Sequence, residues 1–197
     1  MKSLNIWGAV AAGMIAFCSP VFSASLYEID HSHSSIGFAV KHLMISTTKG
    51  KFNDYQGSIQ FDPENLAESK IEVTVNAGSI DTDNEQRDNH LKSPDFFEVD
   101  KFPEISFKSK RIEKSGDIYS IVGDLTIKGV TQEIEIPVNI SGPIMSPLGK
   151  QVIGISGETT INRQSFGVNW NKVMDNGGLV VDDFVKIQVE VEAAARL

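Results

Sequence analysis

The chain has 197 residues, 41% of them hydrophobic and 22% charged, with a formal net charge of −8. That is an ordinary globular composition, long enough for one domain with its own core. Its basic residues are scattered and outnumbered, which argues against a nucleic-acid binder, where a basic stripe is needed. The acidic balance also argues against attraction to anionic lipid headgroups.

The first residues read as a secretory signal peptide over 1–24. Lys2 supplies the positive start, Ile6 to Phe17 an apolar core, and Pro20 with the small residues after it a processing region. A cut within Ser23 to Ser25 leaves a barrel domain over 25–197 and places it in the periplasm, with no stable membrane insertion once the leader is gone. An uncleaved anchor and a lipidated Cys18 are alternatives, but bulky Phe17 sits where a lipobox needs a small side chain. Cys18 is the only cysteine. Its removal with the leader excludes disulfides, thiolate zinc sites and a cysteine nucleophile.

From there on, period-two alternation dominates. Ile36, Phe38 and Val40 share one face, Ile59 and Phe61 another, and Ile71, Val73 and Val75 alternate with Glu72, Thr74 and Asn76. Ile105 with Phe107, Leu125 with Ile127, and Ile134 through Ile140 repeat the pattern. Val185, Ile187, Val189 and Val191 close it against Lys186, Gln188, Glu190 and Glu192. Turn signals separate these runs at 62–65, 114–117, 127–130, 146–150 and 175–178. About eight or nine antiparallel strands with one apolar face can form a sandwich or a closed barrel, and the barrel alone removes exposed edges. Such a barrel is either filled by its own side chains or holds one elongated ligand; periodicity leaves both open.

One segment breaks the alternation. Residues 81–104 are polar, and Asp83 or Asn84 is placed to cap a short helix over about 84–92, stopped before Pro94.

Chemistry-bearing residues are few. His31 and His33 lie two apart, so on a strand they would point to the same side, and with His42 they could form a metal-assisted site. His42 is nine residues from His33, however, roughly 30 Å along an extended strand. There is no HExxH, no GxSxG elbow and no phosphate loop, so nothing in the residues makes a case for catalysis. A third reading is a packed barrel acting as a stress or interaction module through an exposed 81–101 loop.

Several dispersed stretches together resemble the YceI-like family of exported, lipocalin-like proteins. They are "YEIDHSHSSIGFAVKHLMIS" with His33, Ser34, Phe38 and His42, then "KGKFNDYQGSIQFDPEN", then the loop carrying Thr82, Arg87, Asp88, His90, Leu91, Ser93, Asp95 and Phe96. "GDLTIKGVTQEIEIPV" and "INRQSFGVNWN" complete the set. The resemblance implies an all-β, eight-stranded antiparallel barrel around a long apolar pocket for a polyisoprenoid or other long-chain amphiphilic lipid, such as a quinone or its precursor. It implies no cofactor beyond that lipid, no catalysis, and homodimers as a common state. On this fold, alternation nominates Phe38, Val40, Phe52, Ile59, Phe61 and Val73 as wall residues, with Val75, Phe107, Leu125, Ile136, Val138 and Phe166. His42, Arg87, Asp88 and His90 are nominated as polar partners at the mouth, unless Arg87 and Asp88 pair locally to anchor the loop. Gln164 and Ser165 depart from the family, where an acid often occupies the second position, leaving open what Arg163 or Arg87 pairs with.

Overall fold

The computed structural model describes residues 25–172 and 179–196. The leader expected over 1–24 and the turn expected at 175–178 lie outside them. Eleven strand segments follow one another: β1 (Ser25–Ile29), β2 (Ser35–His42), β3 (Ser46–Phe52), β4 (Tyr55–Phe61), β5 (Lys70–Asn76), β6 (Ile80–Asp81), β7 (Glu104–Ser115), β8 (Ile118–Ile127), β9 (Val130–Met145), β10 (Gln151–Asn162) and β11 (Val181–Ala195). Among the described residues the single α-helix, α1 (Glu85–Lys92), lies between β6 and β7, and the Asn84 side chain caps it by accepting from the Arg87 amide.

These segments make eight staves. β1 and β2 are halves of one stave, interrupted by a tight turn at His31–His33; β3 and β4 form a second, and β5 and β6, parted by a turn at Ala77–Ser79, a third. β7 to β11 are continuous, and each pairs antiparallel with the next. β11 then pairs with both halves of the first stave, Val185 opposite Val40 and Tyr27 opposite Ala195, so the sheet closes on itself. Closure leaves no long free edge, which matters in a chain without disulfides. The breaks in adjacent staves are stitched together. The Asn53 amide donates to the Ser79 carbonyl, the Asp54 amide to the Ser79 hydroxyl, and the Asn76 side-chain amide to the Asp54 carboxylate. Each bend therefore keeps its backbone groups bonded.

Alternation along the staves sends one set of side chains inward, where two clusters form. The cluster at the β1 end contains Tyr27, Ile59, Phe61, Ile112, Tyr119 and Ile153, with Phe61 and Tyr119 edge to face at 6.1 Å. The other, towards α1, contains Tyr55, Val75, Phe96, Ile105, Phe166 and Val168.

Candidate functional site

A cavity of about 230 Å³ runs inside the barrel and reaches side chains of both clusters. The barrel is thus not packed through, which removes the side-chain-filled interior that the interaction-module reading required. Apart from Gly37, Ser106 and Arg163, every residue in the wall carries a hydrocarbon side chain. Ser106 stands between the inward Ile105 and Phe107, so alternation turns its side chain away.

Of the wall residues nominated from the sequence, Phe38, Val40, Phe52, Ile59, Val73, Val75, Phe107, Leu125, Ile136, Val138 and Phe166 all lie on the cavity. Phe61 does not. It is 2% exposed and belongs to the packed cluster at the β1 end. Its alternation is right, but the stave has run past the end of the cavity.

The opposite end is closed by the 81–101 excursion, which contributes Leu91, Phe96 and Phe97 to the wall. Sequence reasoning read this segment as an exposed polar loop and did not nominate these three for the wall, because Leu91 on α1 and Phe96 and Phe97 after it are isolated apolar residues among polar neighbours with no period to follow. Phe97 meets Phe52 edge-on at 6.1 Å, and Phe52 meets Phe38 at 5.9 Å. Gly50 makes that contact possible, since a Cβ there would sit 2.5 Å from the Phe38 ring and 2.7 Å from Thr82 Cγ2.

None of the nominated polar residues lies in the wall. Thr82 is buried, and its amide and hydroxyl both donate to the Asp88 carboxylate. Arg87 Nε donates to the Thr82 hydroxyl at 2.7 Å and Nη2 to the Thr82 carbonyl at 2.6 Å. Arg87 and Asp88 are thereby spent on anchoring α1 to β6, the local alternative to a mouth role. His90 bonds the Asp95 carboxylate at 2.9 Å and stands edge-on to Phe96 and Trp170, pinning the lid from outside. His42 ends β2 opposite Ser46 and Val181.

The residue that sequence reasoning left without a role is Arg163, 5% exposed and part of the wall. All five of its N–H groups are engaged. Nε donates to the Asp182 carbonyl, Nη1 to those of Val168 and Trp170, and Nη2 to the Val181 carbonyl and, at 3.0 Å, the Asp183 carboxylate. Burial pulls its pKa down, opposed by Asp183 and Asp182. The carboxylate partner of Arg163 is therefore Asp183 on β11, to which Gln164 also donates at 2.7 Å. This latch gathers residues 163, 168–170 and 181–183 at the lidded end. Its signal in sequence was an arginine amid apolar wall positions; the partner could not be read, because it lies twenty residues on.

The histidines do not converge. His31 stacks on Tyr55 at 4.9 Å, and His42 stands at the far end of β2. His33 Nδ1 bonds Asp30 at 2.9 Å, while Asp30 also accepts from Ser32 and so caps the turn. These bonds, Ser32 first and then His33, hold the Asp30 carboxyl far below its usual range, and the Asp30 bond raises His33. Among the described residues, the one set of three side chains with ligand atoms within 4.8 Å of one another is Asp30, His33 and Glu192. It lies on the outer surface and is already bonded internally. His31, His33 and His42 thus form no common metal site.

Staves closed around an apolar, lidded chamber define the lipocalin-like class of barrel. Within it, the chain belongs to the YceI-like domain family, whose model matches residues 27–193. It is similar to a UPF0312 protein of Staphylococcus aureus (strain USA300), 40% identical over 167 residues that span 84% of this chain and 95% of the relative. A Campylobacter jejuni YCEI protein superposes with a TM-score of 0.68 at 35% identity, covering 80% of this chain and 90% of that one. Burkholderia cenocepacia BcnA gives a TM-score of 0.74 at 24% identity, covering 83% and 98%. A polyisoprenoid binding domain from Saccharophagus degradans gives 0.66 at 13%, covering 86% and 98%. At those identities the last two speak for the fold alone.

Proposed function

We propose that the protein is a periplasmic carrier of a polyisoprenoid or other long-chain lipid, held in the barrel cavity, and that it is not an enzyme. The observation that carries this reading is a chamber walled by hydrocarbon whose one buried cation has every donor engaged. Such a wall offers area to a chain and no directional partner to a reacting group. Each methylene withdrawn from water contributes about 0.8 kcal/mol, so a few prenyl units offset an ordering cost of about 4–15 kcal/mol. An uncharged head on a long prenyl tail, as in a quinone or its precursor, suits a wall without a free donor. The same barrel fold occurs in a polyisoprenoid binding domain, so the architecture is one that can accommodate such a chain. The signal-like segment over 1–24 supports export to the periplasm.

The test is native mass spectrometry, followed by organic extraction, of protein purified without detergent from its own envelope fraction. A long-chain isoprenoid near one per chain is expected, and the intact mass also reads whether the carrier is a homodimer. Folded protein that is repeatedly empty would overturn the proposal.

A further inference from the structure

Among the described residues, the six large apolar side chains most exposed to solvent fall into two groups, one at each end of the barrel. At the packed end the β9–β10 hairpin carries Ile144, Met145 and Leu148. At the lidded end stand Met44 (60% exposed) and Ile45 (83%) on the β2–β3 turn, with Phe184 (59%) on the adjoining stretch of β11. Only the second group borders the cavity. Val40 and Val185, paired across β2 and β11, line it, and Val181 lines it opposite His42.

Charge separates the two groups further. From Asp30 to Asp54 the chain has no acidic residue, yet it carries Lys41, Lys49 and Lys51. Val40 points into the cavity, so its neighbour Lys41 points out. Lys49, opposite Ala39, and Lys51, opposite Gly37, share that outer face. Lys51 stands next to Asp81 in the ladder; Lys41 and Lys49 make no ion pair among the described residues. A chain of net charge −8 thus keeps one hairpin purely cationic, behind an apolar tip. The net charge hides this segregation by face.

The turn itself is unusual. Leu43 and Met44 have φ of 51° and 63°, and the Ile45 amide bonds back to the His42 carbonyl. Two left-handed central residues make the hairpin turn for which Asn-Gly is the low-strain choice. Met44, a large side chain exposed at a left-handed position where glycine would fold more easily, points with the exposed Ile45 beside it to a role outside the fold.

We infer that the β2–β3 hairpin is a membrane-docking tip: Met44, Ile45 and Phe184 enter the interface of an anionic phospholipid bilayer while Lys41 and Lys49 meet its headgroups. This brings the lidded end of the cavity to the lipid from which a chain is drawn, and it rests on the carrier reading for its purpose but not for its test. Interfacial binding grows with inserted apolar area and with attraction to anionic lipid, each lysine near such a surface being worth about fivefold in partition.

The experiment is flotation with vesicles of phosphatidylethanolamine and phosphatidylglycerol, and with phosphatidylcholine alone. It uses the chain from Ser25 onward, whose sheet closes without any earlier residue. Binding to the anionic vesicles is expected to weaken with salt and to exceed binding to phosphatidylcholine. Met44→Gly with Ile45→Thr should lower it at least tenfold while leaving thermal stability equal or higher, since the strained turn is relieved. Lys41→Gln with Lys49→Gln should lower it about twenty-five-fold and flatten the salt dependence. Met145→Ser with Leu148→Ser, at the other tip, should leave it unchanged. Equal binding to both vesicle types, loss only with the β9–β10 variant, or a dimer that the Met44/Ile45 change dissociates would each overturn the inference. Isoprenoid content, measured on the same preparations, separates a failure of docking from a failure of the carrier reading. A protein that retains its lipid yet ignores vesicles sinks only the docking tip.

Discussion

The two ends of the barrel are built from the same alternating staves and solve opposite problems. At the β1 end, Tyr27, Phe61, Ile112, Tyr119 and Ile153 meet across the interior and exclude space. At the α1 end the staves stay apart, and the gap is covered by an added lid and by the Arg163 latch. Ile, Val and Phe point inward at both ends, while Tyr27 and Tyr119 help to fill the β1 end, so space inside a barrel is not set by alternation alone. It depends on what reaches across from the other side.

The largest effect should come from breaking the latch. Arg163→Met leaves the Asp183 carboxylate and several carbonyls without their donor, and removing one partner of a buried pair costs about 3–5 kcal/mol. Urea unfolding followed by fluorescence measures it, and a loss under about 1 kcal/mol would mean the latch is ornamental. The packed end is next: Ile153→Ala should cost about 2–5 kcal/mol. Ile187→Ala, on the cavity wall, should cost less than half as much, because its side chain already lacks neighbours on one side.

A pair of tryptophan substitutions sharpens the contrast. Phe61→Trp overfills the packed end and should cost about 1–3 kcal/mol with lipid content unchanged. Phe38→Trp projects into free volume and should cost little stability while cutting co-purified lipid several-fold, read by extraction and mass spectrometry. Lipid lost equally from both would mean that the ends are not distinct compartments.

The smallest effect is a titration at the surface turn. His33 is raised by its Asp30 bond, so this contact contributes fully below the ordinary imidazole pKa of 6.5 and fades as pH rises through the elevated value in the folded protein. Asp30 is depressed, so its own share is present above 3.8 and is lost only as pH falls through the lower folded value. NMR titration should show His33 moving down in Asp30→Asn. An unmoved His33 would assign its shift to another partner.

Much of the fold could be read directly. Period-two alternation and turn residues identified the antiparallel staves, and the cap at Asn84 with Pro94 beyond it bounded α1 within a residue. These are local signals, set by backbone sterics and by which face of a strand meets water. Eleven of the twelve nominated wall positions face the cavity for the same reason. Phe61 shows the limit, because alternation states which way a side chain points and not how far along the stave the space extends.

What the sequence by itself determined is a set of antiparallel strands with one apolar face, which its resemblance to a family reads as a barrel. Only the tertiary structure decided that the interior stays hollow, that Arg87, Asp88 and His90 are spent on the lid, and that Arg163 finds its carboxylate at Asp183. Hollow volume is the difference between the radius that closure imposes and the side chains that reach inward. A buried arginine's partners come from wherever the chain returns. Both are sums over residues distant in sequence, and no local pattern encodes such a sum.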